Sequence, residues 1–296
     1  MTQADEREPV GVIGLGLLGS AIARRLLAAG YTVLGYDVDQ AKAASLAPAG
    51  LQAADLSTIA QRCKRIVLAV FSSAQVAEVS TQLHAAASPR LLICTTTCDP
   101  TGSIEHGAAA LAQGWRYVEA PLSGTSAQVL AGEGVGLIAG DAAAIDAAVD
   151  LFDAVCPRWH RVGAVGDAGR AKLAVNLILG LNRLALAEGL VLAQRQGLDG
   201  ASFLAIARDS AAYSQVMDTK GEKMLQRDFS PEGRAEQSLK DVGIMQAEAV
   251  RLGQPLPLLA VHQAVLQACV EHGEGALDSS VVIEEIRRLG NKKGNL

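Results

Sequence analysis

Aromatic side chains are scarce in this chain of 296 residues: Phe, Trp and Tyr make up 3% of it, whereas half of the residues are hydrophobic. The core must therefore be built mainly from Ala, Leu, Val and Ile. That mixture suits helices and buried parallel strands. The length is sufficient for two domains and a large core.

Cysteines are few, odd in number and scattered, without the spacing of metal ligands. They are Cys63, Cys94, Cys98, Cys156 and Cys269. This pattern indicates reduced thiols in a cytoplasmic protein and predicts no metal site. The polar segment from Met1 to Glu8 has no apolar signal-peptide core, which agrees with a cytoplasmic location.

The chain also lacks an excess of positive charge. Its net charge is −5 and its pI is near 5.6, and no cluster of Lys and Arg forms a basic stripe, so nucleic acid is not an expected partner. The apolar run at 173–193 contains Asn176, Asn182, Arg183 and Glu188. We therefore interpret it as a buried helix of a soluble protein and expect no membrane association.

A glycine-rich loop follows the first predicted strand. The apolar run Val10–Gly14 is typical of a buried parallel strand. It leads directly into a G-x-G-x-x-G pattern made of Gly14, Leu15, Gly16, Leu17, Leu18 and Gly19. A helical pattern, a second strand at 32–36 and then Asp37 follow, at about the spacing of dinucleotide-binding folds.

Each residue of this pattern has a physical reason. Gly14 permits a tight turn, Gly16 lets the backbone approach a pyrophosphate, and Gly19 lets helix and strand pack closely. The helix N-terminus offers N–H groups to the phosphates. Asp37 can accept hydrogen bonds from the ribose hydroxyls and would repel a 2′-phosphate. We therefore predict NAD as the cofactor, with NADP disfavoured.

Strands and helices alternate up to about residue 164. Further strands are predicted at 65–70, 90–94, 117–119, 134–139 and 158–162. The alternation predicts an α/β fold with an N-terminal doubly wound Rossmann sheet, in which ligands sit outside the carboxyl ends of the strands. Val70, Phe71 and Thr97 lie in loops at that edge and are expected to face the cofactor. The Thr run at 95–97 is also compatible with ordinary strand-end polarity.

A small, polar loop at 120–128 contains Ser123, Gly124 and Thr125. Hydroxyl and backbone N–H groups in such a loop can bind a carboxylate. Its composition is equally compatible with a plain surface turn.

The second half of the chain reads as helical. A long helix is predicted over about 169–196, followed by four or five more, so we predict a Rossmann domain at 1–164 and an all-helical domain for substrate binding and dimerisation at 165–296.

Lys172 and Asn176 are four residues apart and share one face of the long helix. They can serve a carbonyl or hydroxyl, or they can be a solvated lysine and a polar helix-end group. Lys240, early in a later helix, either forms a solvated pair with Asp241 or reaches the cofactor.

Taken together, these motifs resemble the β-hydroxyacid dehydrogenases. That family includes 3-hydroxyisobutyrate dehydrogenase, tartronate semialdehyde reductase and the plant glyoxylate and succinic semialdehyde reductases. The resemblance runs from about Val10 to Leu289. It is carried by the glycine loop, by Thr96-Thr97 before Pro100, by Ala120-Pro121-Leu122-Ser123-Gly124, by the stretch from Val165 through Lys172 to Asn176, and by Leu239-Lys240-Asp241.

The resemblance implies a role for each matched residue. Ser123, the Gly124 backbone and Thr125 would bind the substrate carboxylate, and Lys172 would be the general acid/base, its pKa lowered by partial burial. Asn176 would orient the substrate or the lysine amine, and Lys240 would lie beside the nicotinamide. The sequence departs from the family pattern at several positions, among them Ala168, Thr125-Ser126 and Glu232-Gly233.

The predicted function is therefore reversible hydride transfer between NAD and a small β-hydroxy acid. Substrates resembling 3-hydroxyisobutyrate, tartronate semialdehyde or threonate are expected, in a homodimer or homotetramer. Three alternatives remain: an imine reductase, which generally lacks the lysine; a semialdehyde reductase that uses NADPH; and a non-catalytic protein that binds NAD and a partner.

Overall fold

The computed structural model describes residues 8–86, 88 and 90–291, and it divides into two compact units. The first unit extends to Lys172 and the second begins at Leu173. The border between functional domains, expected after residue 164, stays a prediction.

Within the described residues the first unit contains nine strands in one sheet. They are β1 (Val10–Ile13), β2 (Val33–Tyr36), β3 (Gln52–Ala53), β4 (Arg65–Leu68), β5 (Leu91–Cys94), β6 (Arg116–Glu119), β7 (Leu122–Ser123), β8 (Val135–Gly140) and β9 (Arg158–Gly163). The order is β3-β2-β1-β4-β5-β6-β8-β7, with β9 paired to β8.

From β3 to β6 all neighbouring strands are parallel. This 3-2-1-4-5-6 order is that of the dinucleotide-binding Rossmann fold. Strand β8 then pairs antiparallel with β6 and with β7, and parallel with β9. The predicted α/β architecture with a doubly wound sheet is thus confirmed.

Helices cover both faces of this sheet. They are α1 (Leu17–Ala28), α2 (Gln40–Leu46), α3 (Leu56–Arg62), α4 (Ser73–Ala86), α5 (Pro100–Ala112), α6 (Ser126–Leu130), α7 (Ala142–Asp146) and α8 (Val149–Val155), with a 3-10 turn at Ala47–Ala49. Strand side chains alternate between the faces: Val67 lies in one core cluster with Ile22 of α1, whereas Ile66 lies in another with Ile59 of α3. Both faces are apolar because strands of a parallel sheet are buried on both sides.

The second unit is helical. The long helix α9 (Asp167–Arg195) enters it and is followed by α10 (Gly200–Asp209), α11 (Gln215–Gln226), α12 (Ala235–Leu252), α13 (Pro257–Glu271), a 3-10 turn (Ser279–Val281) and α14 (Val282–Asn291). Leu190 of α9 belongs to its core together with Leu204, Met224 and Leu266. The all-helical C-terminal region is therefore also as predicted.

One helix among the described residues, α9, is long and apolar enough to cross a membrane by length and composition. Its Leu184 and Leu190 lie in the core of the helical unit, and its buried Arg183 donates to the Ser279 hydroxyl (2.8 Å). These contacts are those of a core helix in a folded unit. Ile178, on the same helix, is 62% exposed in the single chain. An oligomer could cover such a side chain, but the predicted homodimer or homotetramer stays a prediction.

A buried histidine lies close to this arginine. The ring of His262 in α13 occupies the space beside Gly180, where an added Cβ would come within 2.3 Å of Cε1. Neither ring nitrogen of His262 has a hydrogen-bond partner among the described residues. Burial, with the nearby Arg183 charge, lowers the pKa of His262 to about 4. The folded state therefore holds a neutral imidazole.

We expect the stability of the helical unit to fall on mild acidification. Between its ordinary pKa and about 4, His262 is protonated in the unfolded chain but not in the folded one, so the unfolded state binds more protons. The free energy of unfolding should drop by about 2 kcal/mol from pH 7 to pH 5. Urea unfolding measured across that range tests this, and His262→Leu should flatten the slope; an equal slope in the variant would contradict it.

Candidate active site

The glycine loop between β1 and α1 is shaped by two close backbone approaches. Gly14 has φ +89°, and an added Cβ would lie 2.5 Å from the Ala69 carbonyl oxygen. A Cβ on Gly19 would lie 1.8 Å from the Gly14 carbonyl oxygen. A Cβ on Gly16 would meet nothing within 4 Å, at the N-cap of α1. The open position is where a pyrophosphate would approach the helix N-terminus, so the loop fits a dinucleotide.

Asp37 follows β2 and binds the glycine loop. Its Oδ2 accepts from the Leu15 N–H (2.7 Å), and its Oδ1 accepts from the Asp39 N–H (2.9 Å) and the Lys42 ammonium (3.1 Å). Burial is the largest influence and raises the pKa of Asp37, but these hydrogen bonds and the Lys42 charge together lower it below its ordinary value. The residue is a carboxylate at neutral pH, with lone pairs left for further donors.

The loops after β4 and β5 are joined by threonine hydroxyls. Thr95 Oγ1 donates to the Leu68 carbonyl and Thr96 Oγ1 to the Val70 carbonyl, both at 2.9 Å. Phe71 is 46% exposed, and its N–H donates to Gln75 Oε1 (2.8 Å). The structure thus brings together the loop of Val70 and the Thr run at the carboxyl edge of the sheet. Thr97, the next residue, is partly buried.

The loop predicted to bind a carboxylate begins in β7. Ser123 is partly buried, and Gly124 has φ +134°, a conformation that favours glycine. Thr125 is the N-cap of α6: its hydroxyl accepts from the Gln128 N–H (3.2 Å), and its own N–H donates to Gln128 Oε1 (2.9 Å). This capping box explains why threonine occurs here. A hydroxyl that accepts this bond can still donate its proton.

The start of α9 is held by a buried carboxylate. Glu119, the last residue of β6, accepts the Ser103 hydroxyl at Oε1 and the Gly166 N–H at Oε2, both at 2.8 Å. Gly166 has φ +100°, and a Cβ on Gly169 would lie 2.8 Å from Glu119 Oε1. Burial raises the pKa of Glu119 above its ordinary value. Hydrogen bonds from Ser103 and from the N–H groups of Gly166, Ala168 and Gly169 act in the opposite direction and offset only part of this rise.

Lys172 and Asn176 lie on α9, four residues apart, and Lys172 is buried. Lys172 belongs to the same unit as the glycine loop and the Ser123 loop. In the helical unit, Asn176 Nδ2 donates to Asp241 Oδ2 (3.0 Å), and the Lys240 ammonium lies 3.0 Å from Asp241 Oδ1. The structure therefore brings together two of the predicted residues, Asn176 and Lys240, on either side of one carboxylate.

One departure from the family pattern has a simple structural reason. Ala168 is fully buried, and its methyl group packs against Leu137 and Ala139, so an alanine fits where a second glycine is usual. The glycine without room for a side chain is the next residue. At Gly233, a second departure, the N–H donates to Asp278 (3.2 Å) and an added Cβ would meet nothing within 4 Å, so nothing in the structure explains the glycine.

Groups of three or more His, Cys, Asp or Glu side chains that could hold a metal ion are not found among the described residues. All five cysteines are free and buried. Burial raises the pKa of Cys63 and Cys156 to about 11 and that of Cys269 to about 12. These three thiols stay protonated at neutral pH and are therefore poor nucleophiles and metal ligands.

Two site residues escaped the interpretation of the sequence. Glu119 was predicted only as part of a strand, because its partners Ser103 and Gly166 are 16 and 47 residues away. Asp241 was predicted only as a neighbour of Lys240, and its bond to Asn176 spans 65 residues. The Leu239-Lys240-Asp241 motif was the one signal that pointed to Asp241.

Family models match both units. The model of the NAD-binding domain of 6-phosphogluconate dehydrogenase matches residues 9–163. The model described as NAD-binding of NADP-dependent 3-hydroxyisobutyrate dehydrogenase matches residues 166–286.

Curated relatives match over nearly the whole length. A probable 3-hydroxyisobutyrate dehydrogenase-like protein of Arabidopsis thaliana is 30% identical over 95% of this chain and 86% of its own. The L-threonate dehydrogenase of Cupriavidus necator is 30% identical over 93% of this chain and 95% of its own.

Solved structures share the fold. The crystal structure of 3-hydroxyisobutyrate dehydrogenase from Salmonella typhimurium matches with a TM-score of 0.87 and 26% identity, over 93% of this chain and 99% of that one. An imine reductase from Myxococcus stipitatus is more distant, with a TM-score of 0.65 and 20% identity over 94% of this chain and 99% of that one. At that identity the likeness concerns the fold alone.

We expect Gly16→Ala and Gly19→Ala to separate binding from folding. The Gly19 methyl group would collide with the Gly14 carbonyl, so that variant should lose several degrees in Tm. The Gly16 methyl group enters open space, so its variant should melt like the wild type yet bind dinucleotide at least about tenfold more weakly. Thermal melting and a binding titration measure both. Unchanged affinity in Gly16→Ala would show that the ligand does not approach this turn.

Proposed function

Because the chain belongs to the family of NAD(P)-dependent β-hydroxyacid dehydrogenases, we propose that it transfers a hydride between NAD and the β-carbon of a small β-hydroxy acid. The observation that supports this most directly is the buried Lys172 on the first turns of α9, in the unit that also carries the dinucleotide loop and Ser123. Substrates of the 3-hydroxyisobutyrate, tartronate semialdehyde or threonate type fit the proposal.

The cofactor would be held by the glycine loop and by Asp37. When bound, it supplies the two-electron acceptor that the side chains lack. The pyrophosphate would approach the N–H groups beside Gly16, and Asp37 would accept from the adenosine ribose. Val70, Phe71 and Thr97 would line the edge of the sheet beside it, and in family terms Lys240 would lie near the nicotinamide. The carboxylate of Asp37 supports NAD, since it repels a 2′-phosphate.

The substrate would be anchored by its carboxylate and activated at its hydroxyl. The Ser123 hydroxyl, the Gly124 N–H and the Thr125 hydroxyl would donate to the carboxylate. Lys172 would take the hydroxyl proton during oxidation and return it during reduction. Asn176 would orient the substrate hydroxyl or the lysine amine. Asp241 would fix the amide of Asn176, because a carboxylate accepts only from its Nδ2.

The alternatives differ in what they require. An imine reductase generally lacks this lysine, so Lys172 favours a β-hydroxyacid dehydrogenase. The more distant match to imine reductases agrees with this interpretation. A semialdehyde reductase would use the same site in the opposite direction with NADPH. A non-catalytic dinucleotide-binding protein has no use for a buried lysine. Assembly as a homodimer or homotetramer in the cytoplasm remains part of the proposal.

The function is tested by turnover with NAD and NADP against a panel of small acids and one cyclic imine. The panel contains 3-hydroxyisobutyrate, glycerate, threonate, serine and phenylserine, and the reverse direction is assayed with semialdehydes. Oxidation of at least one β-hydroxy acid with NAD is expected. Turnover of the imine alone, or of nothing while NAD binds, would contradict the proposal.

Replacing the proposed acid/base should abolish most turnover without removing the cofactor. General acid–base catalysis contributes about 10²–10⁴-fold, so Lys172→Ala should lose at least about 10² in kcat and keep its Kd for NAD. Arg170→Ala, an exposed residue on the same helix, is the matched control and should keep kcat within about twofold. Near-normal turnover in Lys172→Ala would refute the assignment.

Asp37 should set the cofactor preference. Asp37→Ala removes the acceptor for the ribose and leaves the Lys42 ammonium without its carboxylate partner. NAD affinity should fall about tenfold or more. The ratio of kcat/KM with NAD to kcat/KM with NADP should also decrease by about tenfold or more. Asp39→Ala serves as the control: Asp39 lies two residues after Asp37, and this change removes the N-cap of α2. A ratio unchanged in Asp37→Ala would place the ribose contact elsewhere.

A further inference from the structure

Glu119 is nearly fully buried, and its carboxylate links three elements of the first unit. It ends β6, accepts the hydroxyl of Ser103 in the first turn of α5, and accepts the Gly166 N–H immediately before α9. A carboxylate at a helix N-terminus satisfies N–H groups that have no partner within the helix, and it lies favourably in the helix dipole. The contact therefore fixes where the first turn of α9 begins.

The same carboxylate lies next to both halves of the proposed chemistry. Ala120, the next residue, opens the loop that leads to Ser123 and Gly124. Gly169, which leaves room for Oε1, is three residues before Lys172 and therefore on the same face of the helix. The side chain of Glu119 thus joins the end of β6, which leads to the Ser123 loop, to the start of α9, which carries Lys172.

From this arrangement we infer that Glu119 is a positioning residue for Lys172: it sets the place of the lysine relative to the Ser123 loop by holding the N-terminus of α9. The inference depends on the proposed role of Lys172. It also explains the glycine pattern of this stretch. A side chain at Gly169 would push the carboxylate away from the N–H groups that donate to it, whereas Ala168 lies in one hydrophobic cluster with Leu137 and is tolerated.

A second carboxylate at the same helix terminus supplies the matched control. Asp167 accepts the Ala164 N–H (3.0 Å) and the Arg170 guanidinium (2.6 Å), and its side chain is exposed. These two hydrogen bonds stay within residues 164–170 and do not involve β6. Asp167→Asn and Glu119→Gln therefore remove the same charge from the same helix end, but only Glu119→Gln weakens the tie to β6.

The test compares kcat, KM and the Kd for NAD in these variants with the best substrate of the panel. Displacements of about 1 Å cost about 10²-fold in rate, so Glu119→Gln should lose about 10–100-fold in kcat while the Kd for NAD stays within about twofold. Asp167→Asn should keep kcat within about twofold. Gly169→Ala, which retains the carboxylate but displaces it, should reproduce the kcat loss. In the double variant with Glu119→Gln the two losses should not multiply, because they act through one contact.

Each outcome decides the inference. If Glu119→Gln does not fold, as judged by circular dichroism, Gly169→Ala is measured in its place. A kcat within twofold of the wild type in the folded variant, an equal loss in Asp167→Asn, or a parallel loss of NAD binding would overturn it. Lys172→Ala separates the two levels: normal turnover there refutes the proposed function, whereas loss there with normal turnover in Glu119→Gln refutes only the positioning role.

Discussion

Two buried carboxylates at strand ends hold two glycine turns, and the chemistry proposed for the first unit depends on them. Asp37, after β2, accepts the Leu15 N–H of the turn before α1. Glu119, at the end of β6, accepts the Gly166 N–H of the turn before α9. In both cases a backbone donor that would otherwise lack a partner is satisfied, and the start of a helix is fixed against the sheet.

The glycines of these turns divide by what they make room for. Gly19 and Gly169 have no space for a Cβ, because a carbonyl and a carboxylate of the same unit already occupy it. Gly16 has free space around its missing side chain. The first kind therefore belongs to the packing of the protein, and the second kind leaves the backbone open to a ligand. In the G-x-G-x-x-G motif, Gly19 serves the packing and Gly16 the ligand, although the two are only three residues apart.

Local patterns in the sequence were sufficient for the sheet, the glycine loop and the long helix, since each depends on residues close together in the chain. The structure adds the two-residue strands β3 and β7, which are too short for a period to appear, and the partners of Glu119 and Asp241, which lie far away in the sequence. Thr125 was interpreted by its hydroxyl alone. Its capping of α6 depends on Gln128 and shows how a residue can serve the fold and remain a candidate ligand.

The helical unit constrains its own polar group in a comparable way. The carboxylate of Asp241 receives the Nδ2 of Asn176 on one oxygen and faces the Lys240 ammonium with the other. A carboxylate only accepts, so it fixes the amide with Nδ2 inward and leaves the Oδ1 of Asn176 as an acceptor. An acceptor suits a hydroxyl or an ammonium and is repelled by a carboxylate. Under the proposed function, Asn176 would therefore face the reacting hydroxyl or an amine, and the substrate carboxylate would instead need donors such as those proposed for the Ser123 loop.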